Sequence, residues 1–338
     1  SAASDVYKRQ VVSIGVPVYN GARYLGECLE SLLGQSFTDL EVIVSDNAST
    51  DATETICRDF AAKDSRLRYF RNEKNLGAAP NYDRTFHLSE GRYFKWSAHD
   101  DVLHPDYISR CVEVLESDPG AVGAHTWTEI IDLESKPMVF DQEQGCYFDS
   151  QGQSWHFPAD TDGVGMEAPT ERDSAVARFQ GVIEGKRYDT VFGLYRRADM
   201  AKSCLHLPFW GSDKTFISDM ALRNKIRIVP EKLFLRRCHP TQAGVLPFNE
   251  KIRWLVTDGG EKTVSPQMMA LRAYNDVISS APISAFAKLR CRIVVVKQGL
   301  RLDKWRSSSY LGVGSLLANF LHMKDGSMGA RAVDKPKS

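Results

Sequence analysis

Two adjacent carboxylates, Asp100 and Asp101, close the strand-like run Tyr93-Phe94-Lys95-Trp96-Ser97-Ala98-His99. Hard divalent cations such as Mg²⁺ or Mn²⁺ take oxygen ligands and are often held by one or two carboxylates together with a substrate's phosphates. The pair therefore points to phosphate chemistry. A plainer reading makes both acids solvated loop residues ahead of a helix opened by Pro105, since proline suits a first helical turn. The pair alone barely separates the two.

Two upstream segments shift the balance. Residues 11–20 (VVSIGVPVYN) and 41–51 (EVIVSDNASTD) are further strand-like runs that end in polar, turn-prone residues. Residues 22–35 and 52–62 carry apolar side chains at three- and four-residue spacing, with Leu25, Cys28, Leu29, Leu32 and Leu33 marking one helical face. Strand, helix, strand, helix is the order of a parallel sheet covered on both sides. Ligands of such sheets bind beyond the carboxyl ends of the strands, the edge at which Tyr19, Asp46 and Asp100 should project. An ionised aspartate only accepts hydrogen bonds, so Asp46, read as a surface acceptor, suits a base edge that offers an imide N–H. Pro17 fixes its own φ and stiffens the loop after the first strand, and Tyr19 can lie against base or ribose. In the alternative, Pro17 ends a strand and Asp46 begins a turn toward a helix capped by Ser49, Thr50 or Asp51. Asn75-Leu76-Gly77 reads as a turn in which Gly77 is free to take a positive φ.

These segments together resemble the family 2 glycosyltransferases with the GT-A nucleotide-sugar-binding fold, over residues 11–240 or so. The resemblance rests on VSIGVPVYN at 12–20, Gln35-Ser36-Phe37, VSDNASTD at 44–51, Asn75-Leu76-Gly77 and His99-Asp100-Asp101, in that order. It departs where many members carry Asp-x-Asp, because the first acid is Ala98 here. The resemblance implies an α/β fold, a GT-A-type, Rossmann-like, mostly parallel sheet flanked by helices, with a helical C-terminal extension. It implies a donor nucleotide held by Pro17, Tyr19, Asn20, Asp46, Asn75, Asp100 and Arg237, and a divalent cation (Mg²⁺ or Mn²⁺) on Asp100, Asp101 and His239.

A sugar hydroxyl is a poor nucleophile at neutral pH, so transfer needs a carboxylate to take its proton. Asp213 opens a helix whose stripe is Phe216, Ile217, Met220 and Ala221, and an acid there is also favoured simply by the helix dipole. In the resembling family an acid at this position is the base of a single inverting displacement; Asp219 lies further along the helix body. Residues 225–240 are again similar to the family pattern. There Arg237 offers a fork of donors for the diphosphate, and a neutral His239 can complete a metal shell or be merely structural. His99 borders the metal acids but is expected to point to the other side of the strand end.

Charges balance at 43 basic and 43 acidic residues in 338, which gives no global nucleic-acid signature. The seven scattered cysteines contain no Cys-x-x-Cys pair, so zinc ribbons and redox motifs are not supported and a reducing cytoplasm is expected. Residues 1–10 precede any periodic pattern, and residues 5–10 resemble a translated sequencing adaptor, so they are read as a non-native leader. Residues 11–245 are expected to form the catalytic domain, divided into a nucleotide half (11–128) and an acceptor half (129–245). Residues 127–170 read as a long loop over the mouth, with Trp155 and Phe157 either stacking on a sugar or packing in a satellite cluster. Residues 246–338 form a helical extension with a frayed tail. Its basic residues Lys288, Arg290, Arg292, Lys297, Arg301, Lys304 and Arg306 interleave with apolar ones. That pattern suits either peripheral contact with an anionic membrane or a packed helix with a solvated basic face.

The expected function is a metal-dependent inverting transfer from a nucleoside-diphosphate sugar, a UDP-sugar first, to a glycan or lipid-linked hydroxyl acceptor in bacterial envelope or exopolysaccharide synthesis. Two alternatives stand beside it. A sugar-phosphate nucleotidyltransferase would need a glycine-rich basic signature where the chain has Asn20-Gly21-Ala22-Arg23, and a catalytically inactive nucleotide-sugar-binding module is raised by Ala98.

Overall fold

The structure is a computed structural model and describes residues 11–155, 169–185, 189–243, 248–255 and 266–299. The leader, the tail beyond residue 299, and His156 and Phe157 lie outside the described residues. The first half alternates β1 (Val12–Val18), α1 (Leu25–Leu33), β2 (Leu40–Asp46), α2 (Thr53–Lys63), β3 (Leu67–Arg71), α3 (Ala78–His87) and β4 (Tyr93–Trp96). After a turn come the short β5 (Val102–Leu103), α4 (Tyr107–Ser117) and β6 (Gly123–Ile131). Three small strands follow, β7 (Val139–Asp141), β8 (Cys146–Phe148) and β9 (Ser154–Trp155), then α5 (Ala175–Glu184), β10 (Leu194–Arg196) and α6 (Arg197–Met200). The described chain ends with α7 (Ser212–Arg223), β11 (Ile226–Arg237), α8 (Phe248–Leu255), α9 (Pro266–Ser280) and α10 (Ala285–Gly299).

Eight strands form one sheet in the order β3-β2-β1-β4-β10-β6-β11-β5. β3, β2, β1 and β4 run parallel, as do β6 and β11, while β10 and β5 are antiparallel to their neighbours. A parallel sheet must be covered on both faces, and adjacent residues of β4 divide accordingly. Tyr93 packs with Val12, Ile14, Leu29 and Tyr107, whereas Phe94 and Trp96 pack with Phe86, Phe216 and Met220 on the other face.

Pro17 lies near the end of β1, level with Ser45 and one residue before the strand stops. It costs no ladder bond there. The Gly15 carbonyl accepts from Ser97 on the β4 side and the Val18 carbonyl accepts from Asn47 on the β2 side, so Pro17 turns its nitrogen toward β4 beyond that strand's end. A proline is tolerated where no ladder donor is needed.

Residues 127–155 are not an open loop. β6 carries the chain into the main sheet and β7-β8-β9 form a three-stranded antiparallel sheet, whose Tyr147, Phe140 and Trp155 pack with Ile130, Met138 and Cys238. For Trp155 the satellite-cluster alternative holds. In the C-terminal region α9 and α10 share an apolar cluster with α5 and α7, through Val277, Ile278, Cys291 and Val295 against Val176, Phe179, Ile183 and Leu222.

Candidate active site at the carboxyl edge of the sheet

Because β1, β2 and β4 are adjacent and parallel, their carboxyl ends meet at one edge, as the strand–helix alternation predicts. Tyr19 follows β1 and is 42 % exposed, which leaves its ring free at the rim. Asn20 takes a left-handed φ of 52°, a conformation asparagine tolerates better than most residues. It ties two loops together: its N–H donates to Ser49 Oγ (2.9 Å) and its Oδ1 accepts from the Thr50 N–H (2.8 Å). A side chain at Gly21 would meet the His99 ring at 2.5 Å, so glycine is required for that histidine to rest on the β1–α1 loop.

Asp46 is fully buried, not a surface acceptor. Its Oδ1 accepts from the Ser49 N–H (2.8 Å), and its Oδ2 from Tyr69 Oη (2.7 Å) and Arg71 Nη1 (2.8 Å). The correction follows from β3 and the loop after β2 supplying these donors to the carboxylate; about one of its four acceptor positions is left over. Asn75 Oδ1 accepts from Asn47 Nδ2 (2.8 Å) and the Gly77 N–H (2.9 Å), and Gly77 has φ 86° as its turn requires. Sequence reasoning missed Asn47. Its N–H donates to Val18 and its Oδ1 accepts from Asn72 (2.9 Å) and the Leu76 N–H (2.8 Å), so it joins the ends of β1 and β3 to the start of α3.

The turn after β4 carries Asp100, whose Oδ2 stands 2.9 Å from His239 Nε2. Burial alone would raise the Asp100 carboxyl, but His99 and His239 outweigh it and hold it below the usual carboxylate range. The other ring nitrogen of His239 is 2.9 Å from Thr241 Oγ1, a contact that orients the imidazole. Asp101 does not join this pair. Its Oδ1 accepts from the Arg237 N–H (3.0 Å), and burial followed by the Asp100 charge pushes it well above the usual range. Among the described residues no three of His, Cys, Asp and Glu come together as a cation cage.

Arg237 is also corrected. Its side chain is completely buried, with Nε on the Asp100 carbonyl (2.9 Å), Nη1 on the Asp132 carbonyl (3.0 Å) and Ser135 Oγ (2.9 Å), and Nη2 on Glu27 (2.6 Å). The Tyr24 ring covers it at 4.7 Å. A guanidinium so occupied braces the Asp100 turn from below and does not face a diphosphate. The neighbouring Arg236 points the other way, as alternation along a strand demands. It pairs with Asp189 (3.3 Å), whose charge stabilises its cationic form along with those of Asp101 and Asp100.

Asp213 stands in the first turn of α7, which Gly211 starts from a left-handed φ of 91°. Lys214 pins that turn by donating its ammonium to the carbonyls of Ile183 (2.7 Å) and Gly185 (3.0 Å). Burial raises the Asp213 carboxyl, opposed by the amides of the helix start and by the charges of Lys214 and Arg236. Burial first, then the charges of Asp100, Asp101 and Asp213, push the Tyr82 phenol up. Asp219, in contrast, is spent on the Cys204 N–H (2.9 Å) and Arg223 (3.0 Å). Trp210, three residues before Asp213 in the chain, is 6.4 Å from Trp254 and covered by the Lys251 ammonium at 4.6 Å. Arg236, Asp189 and this aromatic pair were not singled out in the sequence, although the alternation of β11 distinguishes Arg236 from Arg237 once that strand is placed.

Residues 13–166 match the model of glycosyl transferase family 2. That segment is a family 2 glycosyltransferase domain. The chain is 36 % identical over 132 residues to an uncharacterized glycosyltransferase of Rickettsia typhi, covering 38 % of this chain and 40 % of that protein. It is also 35 % identical over 124 residues to chondroitin synthase of Escherichia coli, covering 37 % of this chain and 18 % of that protein. The chain thus spans less than half the length of these curated relatives. Among solved structures, S. aureus TarS 1-349 aligns with a TM-score of 0.59 at 15 % identity, covering 92 % of this chain and 79 % of that one, which supports the GT-A fold.

Asp100 and His239 are the side chains that could hold a divalent cation. An octahedral ion with ligands about 2.1 Å away sets adjacent ligand atoms about 3 Å apart, and the two side-chain atoms are separated by 2.9 Å. One carboxylate and one imidazole would leave the remaining positions for phosphate oxygens and water. Ala98, at the place of the family's first acid, contributes a backbone carbonyl that accepts from Cys28 Sγ (3.4 Å). Among the described residues no helix is long and apolar enough to cross a membrane.

Proposed function

We propose that the domain transfers a sugar from a nucleoside-diphosphate sugar to a hydroxyl acceptor with inversion at the anomeric carbon. The observation that carries this reading is the Asp100–His239 pair, 2.9 Å apart in the turn after β4 at the carboxyl edge of the sheet, with Asp213 in the first turn of α7 as the candidate base. The donor nucleotide would lie against Tyr19 and the loops braced by Asn20, Asp46 and Asn75. TarS, which shares the fold, is known in complex with UDP-GlcNAc, and this supports a uridine nucleotide as the first donor to test. Asp100 and His239 would hold the divalent cation, which when bound offsets the charge of the departing diphosphate.

In the reaction the acceptor oxygen attacks the anomeric carbon from the side opposite the diphosphate. The carbon–oxygen bond to phosphate breaks, the new glycosidic bond forms, and the acceptor proton passes to the Asp213 carboxylate. A buried carboxylate with a raised pKa is a stronger base than a solvated one, which suits proton removal near neutral pH. Trp210 and Trp254 offer apolar ring faces to an acceptor glycan. Polysaccharide or envelope glycan synthesis is the setting we infer, with a glycan or lipid-linked acceptor.

The test is release of nucleoside diphosphate from a panel of UDP- and GDP-sugars, with Mn²⁺ or Mg²⁺ and with chelator. Cation-dependent release from one donor class supports the reading. Donor binding without any release, with all acceptors tried, would instead favour an inactive binding module.

A further inference from the structure

We propose that α10 seats the protein on an anionic lipid surface through its outward face. One side of the helix is spent on the protein: Cys291 and Val295 are buried against α5, Lys288 donates to the Ser279 carbonyl (2.5 Å), and Arg292 reaches Asn275 (3.1 Å) and Ser279 (3.0 Å) on α9. The opposite side is unpartnered among the described residues. Phe286 is 71 %, Leu289 48 % and Ile293 44 % exposed, and Arg290 and Lys297 are exposed with them. At 3.6 residues per turn these five positions fall within an arc of about 100°, so they form one stripe of three large apolar side chains edged by two cations. The chain holds no acidic residue between Asp276 and Asp303.

An apolar stripe flanked by Lys and Arg is the pattern of a helix that lies in a membrane interface, where the apolar residues enter the acyl boundary and the cations meet lipid phosphates. The charge of the stripe selects this occupant. A second copy of the same face would bring Arg290 and Lys297 against their own kind, and like charges at a contact are unfavourable. The helix pair that presents the stripe packs directly on α5 and α7, the latter carrying Asp213. The proposal does not depend on the reaction assigned to that site.

The experiment is flotation of the full chain with vesicles of phosphatidylcholine alone or with phosphatidylglycerol, at low and high salt. Binding is expected only with the anionic lipid and should weaken as salt rises. Two variants keep the buried face intact, Arg290→Gln with Lys297→Gln, and Phe286→Ser with Leu289→Ser and Ile293→Ser. The charge variant should partition about 30-fold more weakly, from about 1 kcal/mol per basic residue near the surface, and the apolar variant should float no better than without vesicles. Wild-type protein that stays unbound at low salt overturns the proposal. If the apolar variant instead loses self-association in sedimentation or melts earlier, while wild type ignores vesicles, the stripe is covered by a second copy or by the chain's own residues beyond 299.

Discussion

Replacing Arg237 with lysine separates its two readings, a diphosphate contact and a buried brace. The guanidinium serves the carbonyls of Asp100 and Asp132, Ser135 Oγ and the Glu27 carboxylate from three different nitrogens, with a side chain that is fully buried. A single ammonium cannot span these acceptors. Glu27 is 42 % exposed and can be hydrated when its partner leaves, so its loss costs little. The two carbonyls are different, because a buried acceptor left unpaired costs about 1–3 kcal/mol. Their sum is about 2–6 kcal/mol, which at about 2–4 °C per kcal/mol for a domain of this size lowers the melting temperature by about 4–24 °C. Differential scanning fluorimetry with and without nucleotide measures this directly. Wild-type stability together with a raised donor dissociation constant would refute the brace and restore Arg237 to the diphosphate.

Other outcomes follow from the same contacts. Asp46→Ala should destabilise the fold by about 2–4 kcal/mol, since Tyr69, Arg71 and the Ser49 amide lose a buried charged acceptor; urea denaturation reads this, and an unchanged midpoint speaks against it. Burial pushes Asp83 up to about 7, so the native state binds a proton there that the unfolded chain, at about 3.9, has lost. Asp83 therefore favours folding fully below about pH 4 and loses that contribution as pH rises through about 7. Asp83→Asn should gain about 2 kcal/mol at pH 8 after allowance for its partial exposure and nothing at pH 4, and a gain that does not vary with pH would exclude this cause. Asp213→Asn should cut turnover by about 10²–10⁴ while donor affinity, measured by calorimetry, stays within about twofold. Because Asp213 must be ionised to act and burial raises it, the acidic limb of kcat/KM should lie above the ordinary carboxylate range.

The alternation of β1, α1, β2 and α2 was legible because short apolar-rich runs ending in turn-prone residues alternate with segments whose apolar residues recur at three- and four-residue spacing. The clustering of Tyr19, Asp46 and Asp100 at one edge followed from that alternation alone. Asp100 could be named from residue type and position, and His239 and Asp213 with the help of the family resemblance, but their partners depend on side-chain direction. Arg236 and Arg237 read alike in sequence, and only the register of β11 decides which one is interior. That Pro17 costs no ladder bond could not be read in advance, because the partner of its nitrogen depends on where β4 stops. Residues 139–155 form strands of two or three residues, too short to show a period. In α10 both faces are apolar, so the pattern alone could not tell a packed helix from a surface helix; it proves to pack on one side and to be exposed on the other.

The central claim is a single displacement with Asp213 as base, and the stereochemistry of the first-formed product tests it most directly. Following the anomeric proton by NMR during turnover of an α-linked nucleoside-diphosphate sugar, with a sugar acceptor or with water in its place, should show the β-anomer appearing first. Asp213→Asn should slow that signal without altering its configuration. First appearance of the α-anomer would mean two displacements or a different face of attack, and would contradict the account at its base.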